Sequence, residues 1–414
     1  MQLRKILATA LGVERCVVEN VSAERDALVF AVRAKSGERG KCSWCGRRCP
    51  KYDTGSGTRR WRATDIGRTP VWIEAAAPRV KCSEHGVVVE RVPWARRGST
   101  FTRAFEDVVG WATKQMSKVA VAGLMRVAWE TVGAIVERVV TDAKKGKDLL
   151  DGLLKIGIDE VSFRKGHKYL TVVVDHGSGR LVWAREGRDK ATLRAFFDEL
   201  GDERRRKLTH VSADAAAWIG EVVKERCPEA VLCIDPFHVV AWCTEALDEV
   251  RRGIWNKSRK AGEKDTASLV KGARYALLKN PENLTERQQA KLSSIEVFNR
   301  PLYRGYLLKE ELRLVFSLKG TEGIELLDRW LSWAQRSRLL PFVKLARSIR
   351  RHRKGIDAAL LHGLSNGRVE ATNNQVRLLT RIAHGFRKAS ALISLMFLKL
   401  AGLPINLPTQ PSLS

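Results

Sequence analysis

Three acidic side chains occupy three unlike contexts of the chain. Asp159 stands in the apolar run Lys155-Ile156-Gly157-Ile158-Asp159-Glu160-Val161, Asp214 closes Thr209-His210-Val211-Ser212-Ala213-Asp214, and Glu370 opens Val369-Glu370-Ala371-Thr372-Asn373-Asn374-Gln375-Val376. The first two read as carboxylates at strand ends and the third as a carboxylate on a helix face. Gathered in one place, such acids repel, so one must be protonated or a cation must bind between them, and a third acid favours a divalent ion. Mg²⁺ suits oxygen donors and keeps waters; two ions roughly 3.5–4 Å apart serve the attacking and leaving oxygens of an in-line displacement at phosphorus. No protein nucleophile is then required. Taken singly, each acid also has a structural reading, most clearly Asp214 as a helix cap before Ala215.

A second constellation lies near the start. Cys42-Ser43-Trp44-Cys45 is a CxxC knuckle, and Cys82-Ser83-Glu84-His85 follows a hairpin-sized insert. Two short-spaced pairs are how a zinc ribbon presents four ligands tetrahedrally, with Cys49 as a possible substitute; chance surface thiols are the alternative. A structural Zn²⁺ would explain how so Gly- and Arg-rich a segment folds with little apolar content.

The bulk properties point to a polyanionic partner. Against 46 Asp+Glu stand 74 Lys+Arg, for a formal charge of +28 and a pI near 10.1. That balance favours nucleic acid over an ordinary metabolic substrate, although a solvated basic surface would look the same on charge alone. The 414 residues and 44% hydrophobic content suffice for two to four domains with real cores. No run reaches the roughly 18–20 apolar residues of a membrane span, and the N-terminus lacks the pattern of an export signal. Eight unevenly placed cysteines suit a reducing cytoplasm better than a disulfide framework.

The elements that must position these residues can be read in order. Residues 16–34 alternate as short strands. From Phe101 the period becomes helical, with Phe105, Val108, Val109 and Ala112 on one face, Ser117 capping a second short helix, and a third starting near Trp129 after the turn Arg126-Val127-Ala128. This is the arithmetic of a helix-turn-helix, with Arg126, Glu130 and Thr131 at the start of the recognition helix; a plain three-helix bundle is the alternative. Between residues 153 and 252 come three tightly connected strands, a helix capped by Asp189 with Leu193, Phe196, Phe197 and Leu200 on its apolar face, a strand ending at Asp214, a helix, and the strand Ala230–Ile234. That is the order of an RNase H-like fold, which other five-stranded α/β domains imitate in part. In it the first and fourth strands are neighbours, so Asp159 and Asp214 would share a rim.

At this point the chain resembles the DDE transposases of the ISL-three insertion-sequence group. The resemblance rests on Gly157-Ile158-Asp159-Glu160 with Lys165-Gly166-His167, on Ile234-Asp235-Pro236-Phe237-His238-Val239-Val240, and on Asn366-Gly367-Arg368-Val369-Glu370-Ala371-Thr372-Asn373-Asn374 leading to Ala383-His384-Gly385-Phe386-Arg387. It spans nearly the whole chain and departs from the pattern at His85, where a fourth cysteine is expected. It implies that Asp159, Asp214 and Glu370 bind two Mg²⁺ or Mn²⁺ ions and cleave and rejoin DNA at an element's ends. Asp235 is the rival second aspartate, but it follows strand five and with His238 is expected to support the site, as is Asn374. The implied partners are terminal inverted repeats and a target duplex, bound by a homo-oligomer in the cytoplasm at the nucleoid, with no membrane role.

The expected architecture is therefore multidomain α/β: a zinc-ribbon module over 1–98, a helix-turn-helix over 99–145, a mixed five-stranded RNase H-like core over 153–252 and 366–403, a helical insertion over 253–365, and a loose tail from 404. In the insertion, Leu307, Leu308, Leu312, Leu314 and Val315 are expected in the core. Arg347, Arg350, Arg351, Arg353 and Lys354 form the densest basic run, either a wet helix face or a phosphate clamp. Glu370, Asn374, Arg377 and Arg381 fall at i, i+4, i+7 and i+11, so one helix stripe can face metal and DNA together, with Arg368 beside it. The rival readings are a DNA-binding regulator without catalysis and an RNase H-like nuclease without strand transfer.

Overall fold

The computed structural model describes residues 2–13, 15–164, 166, 168–383 and 385–405; Lys165, His167, His384 and the tail beyond 405 lie outside the described residues. The chain divides into two compact units, Met1–Leu149 with Ile382–Ser414, and Leu150–Arg381.

The first unit opens with α1 (Gln2–Ala10), which the strand-like reading of the N-terminus did not anticipate. Strands β1 (Cys16–Glu24) and β2 (Ala27–Ala34), expected as short strands, pair antiparallel. After β3 (Lys51–Asp53) come β4 (Thr58–Ile66) and β5 (Thr69–Ala76), which complete a sheet of order β1-β2-β5-β4. Its apolar face buries Val71, Ile73 and Trp61, the last edge-on against Trp94 at 5.4 Å. Strands β6 (Arg79–Cys82) and β7 (Gly86–Val89) pair with β3 as a separate three-stranded ribbon.

Three helices follow: α2 (Arg103–Gln115), capped by Thr102; α3 (Lys118–Met125), capped by Ser117 as expected; and α4 (Trp129–Lys145), set at 101° to α3. A buried ionic network joins α2 to α4. Glu106 is fully buried and accepts from Ser99 Oγ and Arg138 Nε at 2.7 Å each and from Arg96 Nη1 at 3.2 Å, while Arg96 also pairs with Asp107 and Asp142. Removing one member of such a cluster strands the others without water. Glu106→Ala is therefore expected to lower the stability of this unit by about 3–5 kcal/mol, read as an earlier transition in urea.

The second unit is built on a sheet of order β10-β9-β8-β11-β12. Strands β8 (Lys155–Arg164), β9 (Lys168–Asp175) and β10 (Leu181–Glu186) form an antiparallel meander; β11 (His210–Ala213) pairs parallel to β8, and β12 (Val231–Ile234) parallel to β11. Val172, Val173 and Val174 in β9 are fully buried whichever face they point to, the mark of a sheet covered on both sides. The connecting helices are α5 (Lys190–Leu200), capped by Asp189 and buried on the predicted face, α6 (Asp202–Lys207) and α7 (Ala217–Arg226). From β12 the chain enters α8 (Pro236–Lys260), whose N1 proline has a fixed φ suited to a sharp helix start.

The insertion is helical throughout: α9 (Lys264–Gly272), α10 (Arg274–Leu278), α11 (Glu286–Phe298), α12 (Arg300–Leu318), α13 (Gly320–Arg336), α14 (Leu340–Arg351) and α15 (Arg353–His362). Its core centres on buried Trp330, whose indole donates to Leu308 O at 2.7 Å. Leu308, Leu312 and Val315 are fully buried, but Leu307 and Leu314 are exposed, contrary to expectation. The 3.6-residue period explains this, because 308, 312 and 315 share a face that 307 and 314 cannot join. Arg353 also leaves the basic run, being paired with Asp357 and Asp328.

Last come α16 (Gly367–Ile382) and α17 (Ala389–Leu400). Residues 366–403 were expected to act as one closing piece of the core. Instead the segment divides near Ile382: α16 belongs to the second unit, and the apolar α17 packs on α4 and α2 in the first. Its buried Leu392, Leu395 and Met396 fit a helix that needs an apolar partner, which the α2–α4 trio supplies. No single helix among the described residues is long and apolar enough to cross a membrane.

Candidate active site and metal centre

The parallel register sets the acids. Ser212 in β11 lies opposite Gly157 in β8, and Ala213 opposite Ile234 in β12, so Asp214 and Asp235 leave adjoining strands at one edge, while Asp159 lies two residues beyond Gly157. Asp214 does not cap α7, as the structural reading had it. Ala216 occupies the cap position, and Asp214 Oδ1 only accepts from Ala216 N at 3.0 Å. Asp235 caps α8, accepts from Phe237 N at 3.4 Å, and holds His238 Nδ1 at 3.0 Å.

The charged groups at this edge act on one another. Burial pushes the Asp159 carboxyl above its usual range, with Asp214 and Asp235 adding to the rise and His238 opposing it. His238 is raised in turn, first by its bond to Asp235, then by Asp214 and Asp159. Glu160, unremarked in the sequence beyond its place in the motif, is pushed up to about 7 by burial first and Asp214 second, despite Arg188 Nε at 3.5 Å. A carboxylate whose folded pKa exceeds its unfolded value contributes stability only while protonated and loses it as pH rises through the folded value. Glu160→Gln is thus expected to raise the melting temperature of the chain at pH 8, without divalent ions, and to leave it unchanged near pH 4.

Glu370 lies in the first turn of α16. The helix is seated by Asn366, whose Nδ2 donates to Ile158 O at 3.2 Å, whose Oδ1 accepts from Ser212 Oγ, and whose backbone N donates to Asp235 Oδ1 at 3.0 Å. Ser212 Oγ also meets His176 Nε2 at 2.6 Å. One turn beyond Glu370, Asn373 Nδ2 donates to Asp159 Oδ2 at 2.8 Å. Gly157 permits this approach, since a Cβ there would stand 2.3 Å from Val369 Cγ2. The three predicted acids are not drawn within 4.8 Å of one another, a closeness that mutual repulsion opposes.

Asn374, expected to support the site, is exposed and bonded to Arg377 at 2.7 Å; its neighbour Asn373 makes the contact. Arg377 and Arg381 are exposed as predicted, while Arg368 is exposed yet donates to Gly177 O at 2.9 Å. In the first unit Glu130 is exposed and Thr131 half-buried, and Arg126, in a left-handed conformation, caps α3 and pairs with Asp65.

Among the described residues Cys42, Cys45, Cys82 and His85 have all four ligand atoms within 4.8 Å of one another. Cys45 and Cys82 Sγ lie 3.8 Å apart, Cys82 Sγ and His85 Nδ1 3.6 Å, and Cys42 Sγ and His85 Nδ1 3.9 Å. Bonds of about 2.0–2.3 Å to a tetrahedral centre require separations of this size, so the donor set fits zinc. Gly46, at φ +72°, turns the knuckle so that Gly46 N reaches Cys42 O at 2.9 Å. The ring of Trp44 stacks on that of His85 at 5.7 Å. His85 first, with nearby backbone N–H groups, lowers the Cys82 thiol to about 6, favouring the thiolate a metal needs. Cys49 Sγ turns instead to Arg47 O.

An antiparallel meander followed by two parallel strands, in the order β10-β9-β8-β11-β12, is the sheet of an RNase H-like fold. Residues 156–396 match a family model described as a transposase of the ISL3 group, residues 90–140 the helix-turn-helix domain of transposase family ISL3, and residues 38–85 the zinc-finger of the transposases IS204/IS1001/IS1096/IS1165. The chain is 53% identical to the transposase for insertion sequence element IS1557 of Mycobacterium tuberculosis, over 98% of this chain and 97% of that protein. It is 28% identical to the transposase for insertion sequence element IS1001 of Bordetella parapertussis, over 84% and 85%. The chain belongs to the ISL3 family of transposases. It is a DNA-cleaving, DNA-binding enzyme with zinc-ribbon and helix-turn-helix modules.

Proposed function

We propose that this transposase binds the terminal inverted repeats of its element and, with Mg²⁺ or Mn²⁺, cuts the ends and joins the released 3′ hydroxyl to a target duplex. Asp159, Asp214 and Glu370 are the acids that hold the divalent ions. The observation that carries this reading is the bond from Asn373, on the helix of Glu370, to Asp159, beside the strand that ends at Asp214. Ions held there would neutralise the phosphate and supply an activated water. Asn373 fixes one Asp159 oxygen and the Glu160 amide the other, at 2.8 Å each, so the carboxylate is oriented before substrate arrives. Asp235 keeps His238 in place, where a cation beside the acids faces the DNA backbone.

The zinc ribbon, over residues 1–98, and the helix-turn-helix, over 99–145, recognise the ends, with Glu130 and Thr131 at the start of the recognition helix and Arg126 fixing the turn before it. Arg377 and Arg381, with Arg368 at the helix start, meet phosphates along α16. The active form is a homo-oligomer on DNA, in the cytoplasm at the nucleoid. Incubating the purified chain with end DNA, a target plasmid and Mg²⁺ or Mn²⁺ tests the reading. Nicked 3′ ends and joined products are expected; binding without any cut would favour a regulator, and cutting of RNA–DNA hybrids alone a nuclease.

A further inference from the structure

We propose that Asn366 and Asn373 are positioning residues, a pair of buried amides that clasp α16 and set Glu370 against Asp159 and Asp214. The inference rests on the reading of those three acids as the metal-binding set. Residues 366, 370 and 373 follow i, i+4, i+7 spacing and so share one face of the helix. The two amides are 2% and 1% exposed, and each bonds to the catalytic strands and not to its own helix. The Asn366 side chain reaches two strands, Ile158 O in β8, the residue before Asp159, and Ser212 in β11, two residues before Asp214, and its backbone N donates to Asp235, directly after β12. Its own carbonyl accepts from Glu370 N at 2.7 Å, so the helical bond that fixes the backbone of Glu370 starts from this asparagine. Asn373 closes the other side on Asp159 Oδ2.

Apolar contacts from Val369 and Val376 would be enough to dock the helix, but they tolerate sliding and rotation. Directional bonds to amides do not, and they fix the register of the one acid that arrives from a distant part of the chain. Asn373 Oδ1 is buried with no hydrogen-bond partner, so this amide is held for its donor to Asp159 at the expense of its acceptor.

The test uses the full chain with its zinc retained. Mn²⁺ binding is followed by electron paramagnetic resonance, and cleavage of end DNA by kcat and KM. Asn366→Ala and Asn373→Ala are expected to weaken Mn²⁺ binding or lower kcat by about 10- to 100-fold, as loss of groups that orient metal ligands does, with KM for end DNA unchanged. Gln375→Ala, on the exposed side of α16, serves as the control and is expected to match wild type in both. Should Asn366→Ala fail to fold, Asn373→Ala and Ser212→Ala, which each delete a single contact of the clasp, decide the question. Folded variants with wild-type Mn²⁺ affinity and kcat overturn the clasp. A Glu370→Ala chain that binds Mn²⁺ and cuts like wild type overturns the assignment of the acids instead.

Discussion

Alanine at Asp159, Asp214 or Glu370 is expected to abolish end cleavage, lowering the rate by about 1,000-fold or more, which is roughly 4 kcal/mol of transition-state stabilisation. Binding to the element's ends should persist, because the zinc ribbon and helix-turn-helix belong to the other compact unit. Gel-shift titration and cleavage assays on the same preparations read the two properties separately. Asp235→Ala should behave differently, since Asp235 is 4% exposed and committed to Phe237, His238 and Asn366. Its loss should lower both stability and rate. A single-site loss at Asp235 as deep as at Asp159, with full folding and with Asp214→Ala still active, would exchange the roles of the two aspartates.

Removing zinc should produce the second large effect. Three thiols and one imidazole sit at ligand spacing around a point on which the ribbon converges, and the strands there are only three and four residues long. So small a sheet has little apolar burial of its own, and metal binding becomes folding free energy. Cys45→Ser, or dialysis against a strong chelator, is expected to weaken end binding by about 100-fold or more while leaving the acid-bearing unit folded. One zinc per chain by elemental analysis, lost in the variant, is the companion measurement. Wild-type end affinity in a zinc-free chain would remove the ribbon from DNA recognition. Because thiols must lose protons to bind, retention of zinc should fall as pH drops.

The alternation of β1 and β2, the capped helices α2, α3 and α5, and the meander of β8 to β10 were legible in the sequence because local propensity and tertiary role agree there. So was the clustering of Cys42, Cys45, Cys82 and His85, which residue type and spacing alone suggest. What failed did so where the answer depends on which face is buried. Asn374 follows Glu370 at i+4, whereas Val369, Thr372 and Val376 mark a buried face that includes 373 and excludes 374. Ser212 and His176 carried no signal, since their value lies in meeting Asn366 across long stretches of chain. The allegiance of α17 was equally hidden: an apolar helix announces that it needs a partner and not which one.

That allegiance has a cost during synthesis. One unit combines residues 1–149 with 382–414, and its helical trio is covered only when residues 389–400 arrive. The other unit waits almost as long for α16. A chain broken before residue 389 would therefore leave the α2–α4 trio without its apolar cover, and one broken before residue 367 would also lack the helix that bonds to Asp159.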